Sequence, residues 1–222
     1  MRVLNLSLVL VFVCLSPRAG AVDLENGAEI NEVCAACHGE YGQGGKNGEY
    51  PRIAGQPAGY TFKQLKLFQD RSRPNMPMVE HVDKRELPDS DMEDISAYLS
   101  KIVLPTRLPP VDETAPDFDA YQRLLQTKRL MQIARAEGDI ENGKALYKKE
   151  CRSCHGKEGV GKSKDNVPML AGQYTKYLWR QVDKYLDGTL VHDEDEPDSE
   201  LLAEFTREEI RDIFAYLSVA DD

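Results

Sequence analysis

Cys34-Ala35-Ala36-Cys37-His38 and Cys151-Arg152-Ser153-Cys154-His155 are two copies of one pattern, Cys-x-x-Cys-His. The spacing reads as a site for covalent attachment of c-type haem. Two thiols on one helical turn can add across the vinyl groups of a single macrocycle, and the adjacent imidazole can reach its iron. Zinc is the rival, since Cys-x-x-Cys also serves that ion, commonly with two such motifs around one metal. Here each motif has its own histidine and its own repeated surroundings, which favours two haems.

Those surroundings form an internal duplication. Glu25-Asn26-Gly27 recurs as Glu141-Asn142-Gly143, nine or ten residues ahead of the first motif cysteine. Pro51-Arg52-Ile53-Ala54-Gly55-Gln56 recurs as Pro168-Met169-Leu170-Ala171-Gly172-Gln173. Asp94-Ile95-Ser96-Ala97-Tyr98-Leu99-Ser100 recurs as Asp212-Ile213-Phe214-Ala215-Tyr216-Leu217-Ser218. The order is kept and the offset drifts only from 116 to 118 residues, so the chain divides into domains at about 22–104 and 138–222.

Each unit reads as helical. Residues 25–34 lead into the first motif with Ala28, Ile30 and Val33 as apolar positions. Tyr60 to Gln69 places Phe62, Leu65 and Phe68 on one face, and Tyr177 to Leu186 repeats this with Leu178, Val182 and Tyr185. Thr206-x-x-Glu209 is a capping box that opens a helix carrying Ile210, Ile213, Phe214 and Leu217. Glycines after each motif break the helix and let backbone pass close to a haem edge. Domains this small are marginal alone, and a covalently held apolar macrocycle completes each core. Between the units, at 105–137, Pro105, Pro109, Pro110 and Pro116 make a stiff connector, followed by a helix over 118–136. Its apolar face, with Tyr121, Leu124, Leu125, Met131, Ile133 and Ala134, is expected to dock across both domains, with partner binding as the alternative.

The first 21 residues read as a cleaved export signal. Arg2 is the basic start, Leu4 to Leu15 the apolar run, and Ala19-Gly20-Ala21 the small-residue cleavage site. Export to a bacterial periplasm follows, with an uncleaved anchor as the alternative. Cys14 falls inside the signal, so the other four cysteines belong to the two motifs and no disulfide is expected. The chain has 28 Lys+Arg against 38 Asp+Glu, a net charge of −10; losing Arg2 and Arg18 takes it to −12. That acidity argues against nucleic acid or an anionic membrane as partner. Nothing after Ala21 is apolar for long enough to span a bilayer.

With these motifs in this order, the chain resembles the dihaem cytochrome c4 family and the dihaem subunits of sulfur-oxidising flavocytochromes. The resemblance covers both halves but not the connector. It implies an all-α fold of two tandem class I cytochrome c domains joined by the Pro-rich connector and its helix, and a function in electron transfer. It also implies that the Pro51 and Pro168 carbonyls accept the N–H of His38 and His155, and that Gly27 and Gly143 let the last helix cross closely.

Cys34, Cys37, Cys151 and Cys154 are thus the expected haem attachment points, and His38 and His155 the expected iron ligands. The first unit offers Met76-Pro77-Met78 as the opposite ligand; the resemblance favours Met78, with Met76 second and His81 as an exposed non-ligand. A His/Met pair raises the potential and closes the iron to added ligands. The second unit has no methionine in the corresponding stretch, which holds His192 followed by six acids between Asp193 and Glu200. Three readings stay open: His192 binds the iron, the iron is five-coordinate, or a ligand comes from elsewhere. The acids read as a solvated loop or as a steering field for a basic redox partner, and Arg71, Arg73, Lys84 and Arg85 as a less acidic rim on the first unit.

No general acid, base or nucleophile is signalled, so the reading favours a periplasmic carrier exchanging electrons between redox proteins over an enzyme. A haem enzyme, or a cytochrome subunit of a dehydrogenase, with an open or His-ligated second haem is the alternative, and a dehydrogenase or oxidase is a candidate partner.

Overall fold

The structure, a computed structural model, describes residues 21–131, 133–192 and 201–220. The export signal, apart from Ala21, and the acidic run 193–200 lie outside the described residues. Nine α-helices follow in chain order among the described residues: α1 Leu24–His38, α2 Ala58–Gln69, α3 Met76–Val79, α4 Asp89–Lys101, α5 Ala120–Thr127, α6 Ile140–Leu146, α7 Arg152–His155, α8 Thr175–Leu186 and α9 Arg207–Leu217. No strand occurs among them; each repeat carries one antiparallel bridge, Gly45–Tyr50 and Lys162–Val167, in the loop after its motif.

Each repeat is built on a crossing of its first and last helices, α1 with α4 and α6 with α9. The duplicated strings identified above meet at this crossing. Asp23 caps α1 by accepting the N–H groups of Glu25 and Asn26, and Asp139 caps α6 through Glu141 and Asn142. The Asn26 amide donates to Asp94 and the Asn142 amide to Asp212, both at 2.9 Å, while the N–H groups of Asp23 and Asp139 donate to the same two carboxylates. The Asn142 amide, with the Asp139 N–H, holds the Asp212 carboxyl below the usual carboxylate range.

The glycine of the same string lets the helices approach, as the resemblance implies. A Cβ on Gly27 would lie 2.5 Å from the Asp94 carbonyl oxygen, and one on Gly143 would overlap the Asp212 carbonyl. Neither obstacle is a flexible side-chain end. Gly143→Ala should therefore force α6 and α9 apart and cost about 1–3 kcal/mol. A thermal or denaturant midpoint of the haem-loaded protein should fall; an unchanged midpoint would show that the crossing tolerates separation.

The second repeat has one more residue between cap and motif, Asp139 to Cys151 against Asp23 to Cys34. The structure absorbs it in a π-helical stretch, Tyr147–Cys151, between α6 and α7. Tyr147 is fully buried there, packs on Tyr216 at 5.4 Å and donates its hydroxyl to the Gly156 carbonyl at 2.8 Å. The glycine that ends each motif helix, Gly39 at φ 80° and Gly156 at φ 83°, takes a positive-φ conformation that side chains disfavour and that returns the chain across the motif.

The cores follow the expected stripes. Leu178, Val182, Ile210, Ile213, Phe214 and Leu217 join Tyr147 and Tyr216 in the second repeat; Phe68, Val82, Leu87 and Met92 form the first, with Ile30, Phe62 and Leu65 against them. The capping box at α9 is present, with Thr206 and Glu209 bonded reciprocally. Val33 departs from expectation: it is 62% exposed.

The connector also departs from expectation. Its helix is α5 alone, capped by Asp119 and ended near Thr127, whose hydroxyl bonds back to the Leu124 carbonyl at 2.6 Å. The N–H of Met131 goes instead to the Pro105 carbonyl at 2.9 Å. Met131 is thereby buried in extended chain against Ala54 and Leu104, with Tyr41, Ile102, Ile133 and Tyr174 around it. The connector docks through this extended segment, while Tyr121 and Leu124 of α5 stay more than half exposed. Tertiary contact has overridden the helical period.

Candidate haem sites

In both repeats the motif cysteines follow one another over a single helical turn, with the first thiol half-buried and the second exposed. None of the four is paired in a disulfide among the described residues. Among the described residues no group of three or more His, Cys, Asp or Glu side chains is placed to hold a metal ion.

The two histidines are held alike. His38 Nδ1 donates to the Pro51 carbonyl at 2.9 Å, and His155 Nδ1 to the Pro168 carbonyl at 3.0 Å. Each bond fixes the tautomer and ring orientation and leaves the Nε2 lone pair for a metal. Burial holds both imidazoles neutral, lowering His38 and bringing His155 down to about 4. Two thiols and one neutral, pre-oriented imidazole per repeat fit a covalently attached haem.

Opposite the histidines the repeats diverge. Met78 is partly buried against Phe68, Val82, Leu87 and Met92, whereas Met76 is 63% exposed. His81 is exposed. In the second repeat the His192 ring lies with its centroid 6.1 Å from that of His155 and 5.2 Å from Tyr185, although it is solvent-exposed. Arg73, expected on a charged rim, is buried: it donates to Tyr177 at 3.1 Å and Gln181 at 2.7 Å of the other repeat and lies over Phe68. The rim keeps only Arg71, Lys84 and Arg85 exposed.

The repeats meet back to back through the strings that also orient the histidines. The Gln173 side chain accepts from the Arg52 N–H at 3.0 Å and donates to the Arg52 carbonyl at 2.9 Å. Gln56 does the same to Met169, accepting at 2.9 Å and donating at 3.0 Å. The peptide that receives each histidine thus gives its N–H to a glutamine of the opposite repeat. This near-twofold clasp was missed by sequence reasoning, although the shared Gln56/Gln173 was its signal.

No helix among the described residues is long and apolar enough to cross a membrane. The cytochrome c family model matches residues 24–102 and 140–220. The chain is 29% identical to a thiosulfate dehydrogenase electron acceptor of Stutzerimonas stutzeri, over 84% of this chain and 78% of that protein. It is 28% identical to cytochrome c4 of Pseudomonas aeruginosa, over 88% of this chain and 87% of the relative. Reduced recombinant cytochrome c4 from Pseudomonas stutzeri has the same fold, with a TM-score of 0.63 and 24% identity over 89% of this chain and 98% of that one. Two helical domains of one family, each with its own Cys-x-x-Cys-His, carry two covalently bound haem c groups for electron transfer. With both repeats matched, the chain belongs to the cytochrome c family.

Proposed function

We propose that this chain is an exported, periplasmic carrier that takes electrons from one redox protein and passes them to another through its two domains. Haem supplies the ferric/ferrous couple; the protein sets its potential, its access to solvent and the surfaces that dock. Cys34 and Cys37 hold the first group and Cys151 and Cys154 the second, while His38 and His155 bind iron through Nε2. The observation that carries this assignment is the matched pair of Nδ1–H···O=C bonds to Pro51 and Pro168, which readies each ring beside its thiols. Met78 is the opposite ligand in the first domain, supported by its inward packing beside an exposed Met76. That thioether closes the first site to small added ligands, as suits a carrier.

The glutamine clasp supports a rigid relation between the domains, since each histidine-bearing peptide is tied across the interface. A dehydrogenase as donor is favoured by the relative named as an electron acceptor of thiosulfate dehydrogenase, and we extend that class of partner to this chain.

Haem content tests the reading. Intact mass of the mature protein should exceed the polypeptide by two haems and match cleavage after Ala21, and acid–acetone should leave the colour with the protein. Bound zinc, or haem extracted by acid–acetone, would contradict it.

A further inference from the structure

We propose that His192 is the sixth ligand of the second haem, so that the two domains differ as His/Met and His/His. The inference rests on the reading that the second repeat carries a haem on Cys151, Cys154 and His155.

Four observations converge. First, the chain enters the two distal sides in the same way. Asp70 accepts the N–H of Ser72 and Asp187 that of Thr189, both at 2.9 Å; Arg71 and Gly188 both take positive φ, at 67° and 75°; the N–H groups of Arg73 and Leu190 both bond six residues back, at 2.9 Å. Register is therefore kept to Leu190, and His192 is the first side chain with a strong ligand atom beyond it, where the first repeat runs on to Met78.

Second, the ring lies at the distance a distal ligand requires. Two imidazoles on opposite sides of one metal, each bonded at about 2 Å with its centroid about 1 Å behind the nitrogen, stand roughly 6 Å apart. The His155 and His192 centroids are 6.1 Å apart. His155 Nδ1 is committed to Pro168, so its free nitrogen is the one available for iron.

Third, the backing of the ligand is conserved in shape between the repeats. Tyr185 occupies the helix position of Phe68, which packs in the cluster against Met78; the Tyr185 ring meets His192 edge-on at 5.2 Å. Fourth, the competitors are placed elsewhere or are weak. Met169, the only methionine of the second repeat, has both its backbone groups held by Gln56 in the clasp, on the Pro168 side of His155. Residues 193–200 offer carboxylates but no imidazole, thioether or thiol.

The test uses the haem-loaded protein with absorption and electron paramagnetic resonance spectra, and carbon monoxide as probe of the reduced form. Wild type should show two low-spin haems and bind no carbon monoxide. His192→Ala should convert one of the two haems to high spin and let it take one carbon monoxide, with the first haem unchanged; added imidazole should restore the low-spin state. His192→Met should double the thioether-to-iron band. A wild-type protein with one high-spin haem, or a His192→Ala variant with both haems low-spin and closed to carbon monoxide, would overturn the assignment. Absence of two covalent haems by mass would instead sink the carrier reading itself.

Discussion

Met78→Ala should abolish the weak thioether-to-iron band at the red end of the oxidised spectrum and lower the potential of the first haem. The thioether favours ferrous iron and is the ligand that raises the potential of a His/Met site. Axial ligands move haem potentials over about 0.8 V, so this single side chain should outweigh any surface charge nearby. The variant should also leave the first iron open to carbon monoxide. Truncating Met78 opens space beside Phe68, Val82, Leu87 and Met92, so a modest loss of stability should accompany the change. Met76→Ala is the matched control, because its side chain is 63% exposed and should alter neither band nor potential. If Met76→Ala removes the band and Met78→Ala does not, the two methionines exchange roles.

Most of the architecture was legible because the chain spells it twice. The repeated Asn-Gly and Asp-Ile-x-Ala-Tyr-Leu-Ser strings needed no knowledge of geometry to mark two units, and they prove to be the two sides of one helix crossing. What the strings could not show was which atoms meet: Asn26 with Asp94 and Asn142 with Asp212 are separated by 68 and 70 residues. The drift in offset was visible, but the way its first residue is absorbed, in a π turn at Tyr147–Cys151, depends on hydrogen-bond register rather than on residue type. The connector misled because its apolar spacing satisfies a helix up to Ala136, and only the Pro105–Met131 bond and the pocket around Ala54 decide that Met131 leaves the helix. Arg73 misled in the opposite sense. A charged residue beside other charged residues reads as surface, yet two polar side chains of the other domain, Tyr177 and Gln181, bury it.

The divergence opposite the histidines was legible as a missing methionine, though not as a placed substitute. His192 sits two residues beyond the last position at which the repeats keep register, in a stretch with no string to align. Its proximity to His155 emerges only from the path of residues 187–192 after α8.

That divergence implies a direction for electrons within the molecule. Imidazole does not stabilise ferrous iron as a thioether does, so the second haem should have the lower potential. Asp193, Glu194, Asp195, Glu196, Asp198 and Glu200 follow His192 directly and should push the same way, since negative charge favours ferric iron. Their effect should fade as salt screens them. Electrons should therefore enter at the second domain and settle on the first, and the dehydrogenase-like donor should dock near residues 190–192 rather than near the Arg71, Lys84 and Arg85 rim. A potentiometric titration of the two-haem protein, followed by absorption, tests this most directly. Two resolved one-electron waves are expected, with the thioether band tracking the higher one and His192→Ala altering only the lower. One unresolved pair of waves, both carrying the thioether band, would contradict it.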